Sequence, residues 1–233
     1  MSIASISESI EYPESDGEPM GETDLHRDWM VRIIEILRQR YRGQRVYIAS
    51  DLLVYYEEGI PAKYIVPDAF IVLDCDPGRR RTFKTWVEKR VPDVIFEVTS
   101  HSSRRNDTVK KPVIYEQMGV KEYYVYDPTS DYLEPALQGF RMIDGCLRQI
   151  APVNGFLRCE TLQLGLRLVG EELEFFDLRT GKIAVDEAES EREAKEVERI
   201  AKEAERAARE RAEAKNLELQ LEIEQLKKRL GEE

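Results

Sequence analysis

The chain has 233 residues, 42% apolar and 35% charged, with a net charge of −11. That length bounds it to one ordinary domain with extensions, or to two small ones, and no run approaches the roughly 18 apolar residues that span a membrane. Three cysteines without CxxC spacing and only two histidines exclude a disulfide frame, a zinc site and a multi-histidine centre, and they fit a reducing cytoplasm.

The acidity is unevenly spread. Residues 1–25 hold seven acidic and no basic side chains, and residues 186–233 hold sixteen acidic and eleven basic ones. Residues 26–185 are therefore close to neutral, and a polyanionic partner for that part of the chain is not excluded.

Residues 1–22 are acidic, carry no apolar period and are predicted to be a disordered tail. They have neither a basic n-region nor an apolar h-region, so no secretory leader is expected. Glu22 is a candidate further metal ligand at the end of this segment. Thr23 or Asp24 can cap a helix whose stripe is Met30, Ile33, Ile34 and Leu37, with Gly43 as its end. His26 lies off that stripe, which predicts a surface or capping histidine.

"RVYIASDLLVYYEEGI" and "YIVPDAFIVLD" read as two strands, joined by a polar connection, "CDPGRRRTFKTWVEKR", to a third, "VPDVIFEVTS". Residues 107–118 predict a helix with Ile114, Tyr115 and Met118 on one face and Gly119 as its stop. "KEYYVYDP" is a fourth strand, and residues 133–183 predict a β meander. Residues 186–230 carry no Gly or Pro and predict one long helix. Its Asn216, Leu219, Ile223, Leu226 and Leu230 follow coiled-coil spacing, which predicts a homodimer. The alternative is a single solvated helix.

Glu97 interrupts an apolar strand, where an ionised carboxylate is costly unless it is paired or bound to metal. Asp93, four residues earlier on one strand, lies about 13 Å away and cannot share an ion with it. Asp68, on the neighbouring predicted strand, can do so in the right register, since adjacent strands lie about 4.8 Å apart. Lys110 and Lys111 follow on the next helix, and Tyr115 shares a face with Lys111. A metal pair with a lysine suits phosphodiester hydrolysis, because metal activates water and a cation offsets the developing charge. The competing reading is structural, with Glu97 bridged to Arg104, Arg105 or a lysine. Ser100 and Asp107 read as cap or turn residues, His101 as a surface residue and the cysteines as packing residues. Arg79, Arg80, Arg81, Lys84, Lys89 and Arg90, with Phe83 and Trp86 among them, suit phosphate binding and stacking.

The ordered set Pro67-Asp68, Glu97-Val98, Ser100, Arg105, Asp107, Lys111, Tyr115, Gly119-Val120, Glu122-Tyr123 and Asp127-Pro128 resembles the PD-(D/E)xK nuclease superfamily. More narrowly it resembles the Uma-two family of restriction-endonuclease-like proteins, over about residues 20–185. The resemblance implies an α/β (α+β) restriction-endonuclease-like domain at residues 23–185, a mixed central sheet flanked by helices, followed by the charged helix at 186–233. It implies a catalytic site of Asp68, Glu97 and Lys111, with Asp68 and Glu97 holding Mg²⁺ (or Mn²⁺); Arg105, Tyr115, Arg80 and Lys84 are candidate substrate-binding residues, the Tyr115 phenol either packing there or touching a phosphate. The superfamily's usual lysine stands two residues after the acid, where this chain has Thr99, and Lys111 takes its place. The expected function is a cytoplasmic, Mg²⁺-dependent endonuclease of duplex DNA, with RNA as a further substrate to test. The alternative is an inactive nuclease-fold scaffold working through its coiled coil.

Overall fold

The structure, a computed structural model, describes residues 10–15 and 23–231. Most of the acidic tail, Glu22 included, lies outside the described residues. The chain divides into two compact units, residues 1–186 and 187–233.

The first unit is a mixed α+β body. Its helix α1 (Asp24–Arg40) is capped by the Thr23 side chain, which accepts from the His26 amide at 3.3 Å. A six-stranded sheet follows the spatial order β1-β4-β6-β7-β8-β9: β1 (Val46–Ala49), β4 (Ala69–Leu73), β6 (Val94–Val98), β7 (Glu122–Tyr126), β8 (Leu137–Ile143) and β9 (Cys146–Ile150). Within this sheet β6 and β7 are the parallel pair, and the connection between them carries a π-helical turn (Asn106–Lys110) and helix α3 (Lys111–Met118). Gly119, at φ +82°, stops α3 in a left-handed conformation that a side chain would resist. A small sheet joins β2 (Val54–Tyr55), β3 (Tyr64–Ile65) and β5 (Phe83–Lys84), and another joins β10 (Leu157–Cys159), β11 (Leu164–Val169) and β12 (Glu172–Asp177).

The long strands expected from residues 45–60 and 64–74 are each broken in two. Asp51 takes a positive φ of 47° between β1 and β2, and Pro67, which has no amide to give a ladder, separates β3 from β4. The polar connection is not all loop. It contains β5 and the one-turn helix α2 (Thr85–Glu88).

Period-two alternation decides which side of the central sheet each side chain occupies. Ala69, Ile71, Val94, Phe96, Val98, Tyr124 and Tyr126 pack with Trp29, Ile33 and Leu37 of α1 and with Leu164, Leu166 and Phe175 of the β10–β12 sheet. Phe70, Val72, Ile95, Tyr123 and Val125 face the other way, onto Tyr115 of α3 and Phe83. Glu97 has the parity of Ile95, so its carboxylate points to the α3 side. Asp68 has the parity of Phe70 and opens onto the same side. Cys75 and Cys159 are buried, as expected of packing residues, whereas Cys146 is exposed at the sheet edge.

The second unit contains helix α4 (Glu187–Leu230), laced by ion pairs such as Arg199 with Glu196 and Glu203. Leu219, Ile223 and Leu226 of the expected seam are exposed on it. No helix among the described residues is long and apolar enough to cross a membrane.

Candidate active site

The register of β4 on β6 brings the two acids together. Ala69 pairs with Phe96 in an antiparallel ladder, so one step further Asp68 stands opposite Glu97. The Asp68 amide donates to Glu97 Oε2 at 3.2 Å. The carboxylate of Asp68 turns back over the strand end and accepts the Val98 amide through Oδ2 at 2.7 Å.

Glu97 has no exposed side-chain surface. Its Oε2 accepts from Lys111 Nζ at 2.8 Å, and its Oε1 accepts the Tyr115 hydroxyl. Lys111 opens α3, and Tyr115 lies one turn further on the same face, which is why one helix delivers both donors. Lys111 Nζ also lies 3.0 Å from Asp107 Oδ1. An ammonium has three N–H donors, so two directions are committed and one is open.

Two residues that the sequence placed elsewhere belong to this cluster. His26 is not a surface histidine: it is buried, and its Nε2 lies 3.1 Å from Asp68 Oδ2. It shares the buried face of α1, since it precedes Trp29 and Ile33 by three and seven residues, and the expectation that it lies off the apolar stripe is corrected by that spacing. Asp107 is not an exposed cap. It is 1% exposed, and its buried Oδ1 faces Lys111 Nζ. The signal for His26 was its helical spacing to Trp29 and Ile33, whereas Asp107, in a polar run after β6, offered only the appearance of a cap.

The charges are strongly coupled. Burial drives the Glu97 carboxyl well above its usual range against the pull of Lys111, and the Asp68 and Asp107 charges add to the rise. For Asp68 burial acts upward too, but the His26 hydrogen bond, the Lys111 charge and the Val98 amide outweigh it and hold the carboxyl below its usual range. Burial alone would discharge Lys111. Glu97, Asp68 and Asp107 reverse that and hold it protonated beyond the ordinary lysine range.

Three carboxylates, those of Glu97, Asp68 and Asp107, thus act on one fixed cation in a buried setting. Hard oxygen donors in excess of positive charge fit Mg²⁺ or Mn²⁺. Among the described residues no group of three or more His, Cys, Asp or Glu side chains is placed to hold a metal ion. Mg²⁺ is commonly held by one or two carboxylates, with water and substrate phosphate completing its shell, and Asp68 and Glu97 are two carboxylates on adjoining strands.

The other predicted residues lie apart from this cluster. Arg105 and Lys110 are exposed. Arg80 is engaged within the protein: its guanidinium donates to both oxygens of Glu88, at 2.7 and 2.9 Å, and lies 4.1 Å from the Tyr47 ring centroid. Lys84 lies over the ring of Tyr12, Trp86 packs on the same ring, and Arg81 pairs with Glu14. Residues 10–15 therefore lie against the aromatic part of the basic run. Asp93 accepts from the Leu73 amide and pairs with Lys121, a structural role. His101 is exposed and packs edge-on against Tyr132.

Over residues 6–169 the chain matches the family model Uma2, described as "Putative restriction endonuclease". No curated protein matches it. Among solved structures it is similar to "a putative nuclease belonging to DUF820 from Anabaena variabilis ATCC 29413". The identity is 12%, over 66% of this chain and 86% of that one, with a TM-score of 0.46.

Proposed function

The chain belongs to the Uma2 family, and from that footing we propose that it is a Mg²⁺-dependent endonuclease of duplex DNA whose working groups are Asp68, Glu97 and Lys111. The observation that carries this reading is the convergence of Asp68, Glu97 and Lys111 at adjoining strand ends, with Glu97 fully buried and Lys111 2.8 Å from it.

Bound metal would supply Lewis acidity at the phosphate and a lowered pKa for an attacking water. Asp68 and Glu97 would hold it. Tyr115 and the Asp68 amide orient the Glu97 carboxylate, and the Val98 amide and His26 orient that of Asp68. The open N–H of Lys111 is directed to phosphate oxygen, where it offsets the charge that builds as water attacks. Hydrolysis forms one oxygen–phosphorus bond and breaks another, and the departing ester oxygen takes up a proton.

The experiment is cleavage of labelled duplex DNA beside labelled single-stranded RNA, with Mg²⁺ or with chelator. Metal-dependent cutting of the duplex, lost in Asp68→Ala, is expected. A metal-independent activity, or one that Asp68→Ala retains, contradicts the proposal.

Pairing of two copies through α4 would suit cutting both strands of a duplex, and the exposed Leu219, Ile223 and Leu226 support that arrangement. Sedimentation of the full chain should give a dimer that Leu219→Glu with Leu226→Glu converts to monomer. A wild-type monomer at micromolar concentration would remove this part.

A further inference from the structure

We propose that the groove along the free edge of β1 is the track for the DNA backbone beyond the cleaved phosphate; the inference rests on the nuclease reading and extends it to a substrate-binding surface. β1 ends the six-stranded sheet, bonded to β4 on one side only. A groove of about 800 Å³ runs along that edge. Arg38 of α1, Arg42 of the turn that follows it, and Arg79 and Arg80 of the connection before β5 are among its lining residues, which include no Asp or Glu.

The groove has a defined start. The Asp51 amide donates to the carbonyl of Pro67 at 3.1 Å, beside Asp68. Ala49 pairs with Phe70, so continuing the register places Asp51 across from Asp68, about one strand spacing (~5 Å) away. Ser50 and Leu52, which flank Asp51, line the groove. The track therefore begins one strand away from the carboxylates and runs outward along β1.

The four arginines do not have equal roles. Arg80 is fixed by Glu88, which offsets its charge, and it stacks on Tyr47, so it builds the wall. Arg38 and Arg79 are exposed, and neither has a carboxylate partner among the described residues. On a chain of net charge −11, a concave strip lined by arginines and no acid concentrates positive potential in one place. Phosphodiester backbone suits it better than an added peptide strand, because the charges come from two segments beside the edge and the groove's Ser50 end lies one strand away from Asp68.

The test uses the full chain carrying Asp68→Asn, so that DNA is bound without being cut. Binding of a labelled duplex is followed by fluorescence anisotropy across a range of NaCl concentrations. Adding Arg38→Gln with Arg79→Gln should weaken binding by at least about tenfold near 0.1 M salt and reduce the slope of log K against log[salt] by about 2. Both side chains are exposed, so the fold should survive. Arg148→Gln, an exposed site on β9 at the opposite edge of the sheet, should leave affinity and slope unchanged.

Unchanged affinity and slope in the double variant would overturn the track while leaving the cleavage proposal intact. So would loss of binding to a poly-glutamate peptide with duplex binding retained, which would make the groove a peptide site. Weakened binding by a chain whose wild type does not cut DNA would support the groove and overturn the nuclease reading.

Discussion

Replacing Lys111 by Met should lower DNA cleavage by roughly 10²- to 10³-fold, the usual loss when one charge-stabilising donor is removed from a reacting phosphate or oxyanion. The same substitution should destabilise the fold at neutral pH, because Lys111 is the cation that Glu97 and Asp107 share, at 2.8 and 3.0 Å. Removing one partner of a buried pair costs about 3–5 kcal/mol, since the carboxylates left behind are desolvated and unmatched. Lys111→Arg keeps the charge but not the compact ammonium, and its wider planar head should restore stability more than activity. Thermal melting beside a cleavage assay separates the two effects. A Lys111→Met protein with wild-type melting and wild-type turnover would show the lysine to be a bystander.

The second large effect belongs to a carboxylate with no proposed part in chemistry. Glu122, 1% exposed at the start of β7, accepts from Arg141 Nε at 2.9 Å, the Thr161 amide at 2.8 Å and the Glu160 amide at 3.1 Å. It also accepts from Cys159 Sγ at 3.2 Å and the Tyr124 hydroxyl at 3.2 Å. It thereby ties the central sheet to β10 and the turn that follows it. Burial acts to raise its pKa, but the donors from Thr161, Arg141 and Cys159 outweigh that and hold it below the usual range.

Glu122→Ala should cost about 3–5 kcal/mol at neutral pH, with Arg141 and two amides left without their acceptor. At this chain length that is a fall in Tm of roughly 10 °C. The sign with pH follows from the depressed folded-state pKa. Its stabilisation is fully present above the unfolded-state value, about 4.3, and fades as pH falls through the lower folded-state value. The gap in Tm between wild type and variant should therefore be widest at neutral pH and close on acidification below about pH 4. A gap that stays constant from pH 7 to pH 3 would mean that the loss comes from packing and not from the charge.

The parts of the fold that repeat locally were legible in the sequence. The stripe of α1, the apolar runs of β4, β6 and β7, the Gly119 stop and the uninterrupted helix from 187 all report their own structure. The mixed sheet with flanking helices is the architecture those elements build. Asp68 opposite Glu97 was also legible, because an acid at a strand end and an acid inside the next strand meet in few registers. What was not legible depends on tertiary contact. The spacing of His26 to Trp29 and Ile33 marks it as buried, but nothing near it names Asp68, 42 residues on, as its partner, and nothing near Asp107 says that the turn after β6 folds inward. Arg80 looked like a phosphate ligand because its Glu88 partner sits eight residues away across β5 and α2, elements too short to show a period.

Asp68 and Glu97 are proposed as metal ligands, and a buried structural pair is the alternative. Titrating Mg²⁺ into the full chain by calorimetry, beside Asp68→Ala and Glu97→Ala proteins shown to be folded by circular dichroism, distinguishes the two without any substrate. Saturable binding by the wild type that disappears in both variants is the predicted result. Equal heats in all three proteins would contradict the account and leave the carboxylate–lysine cluster a structural feature of the fold.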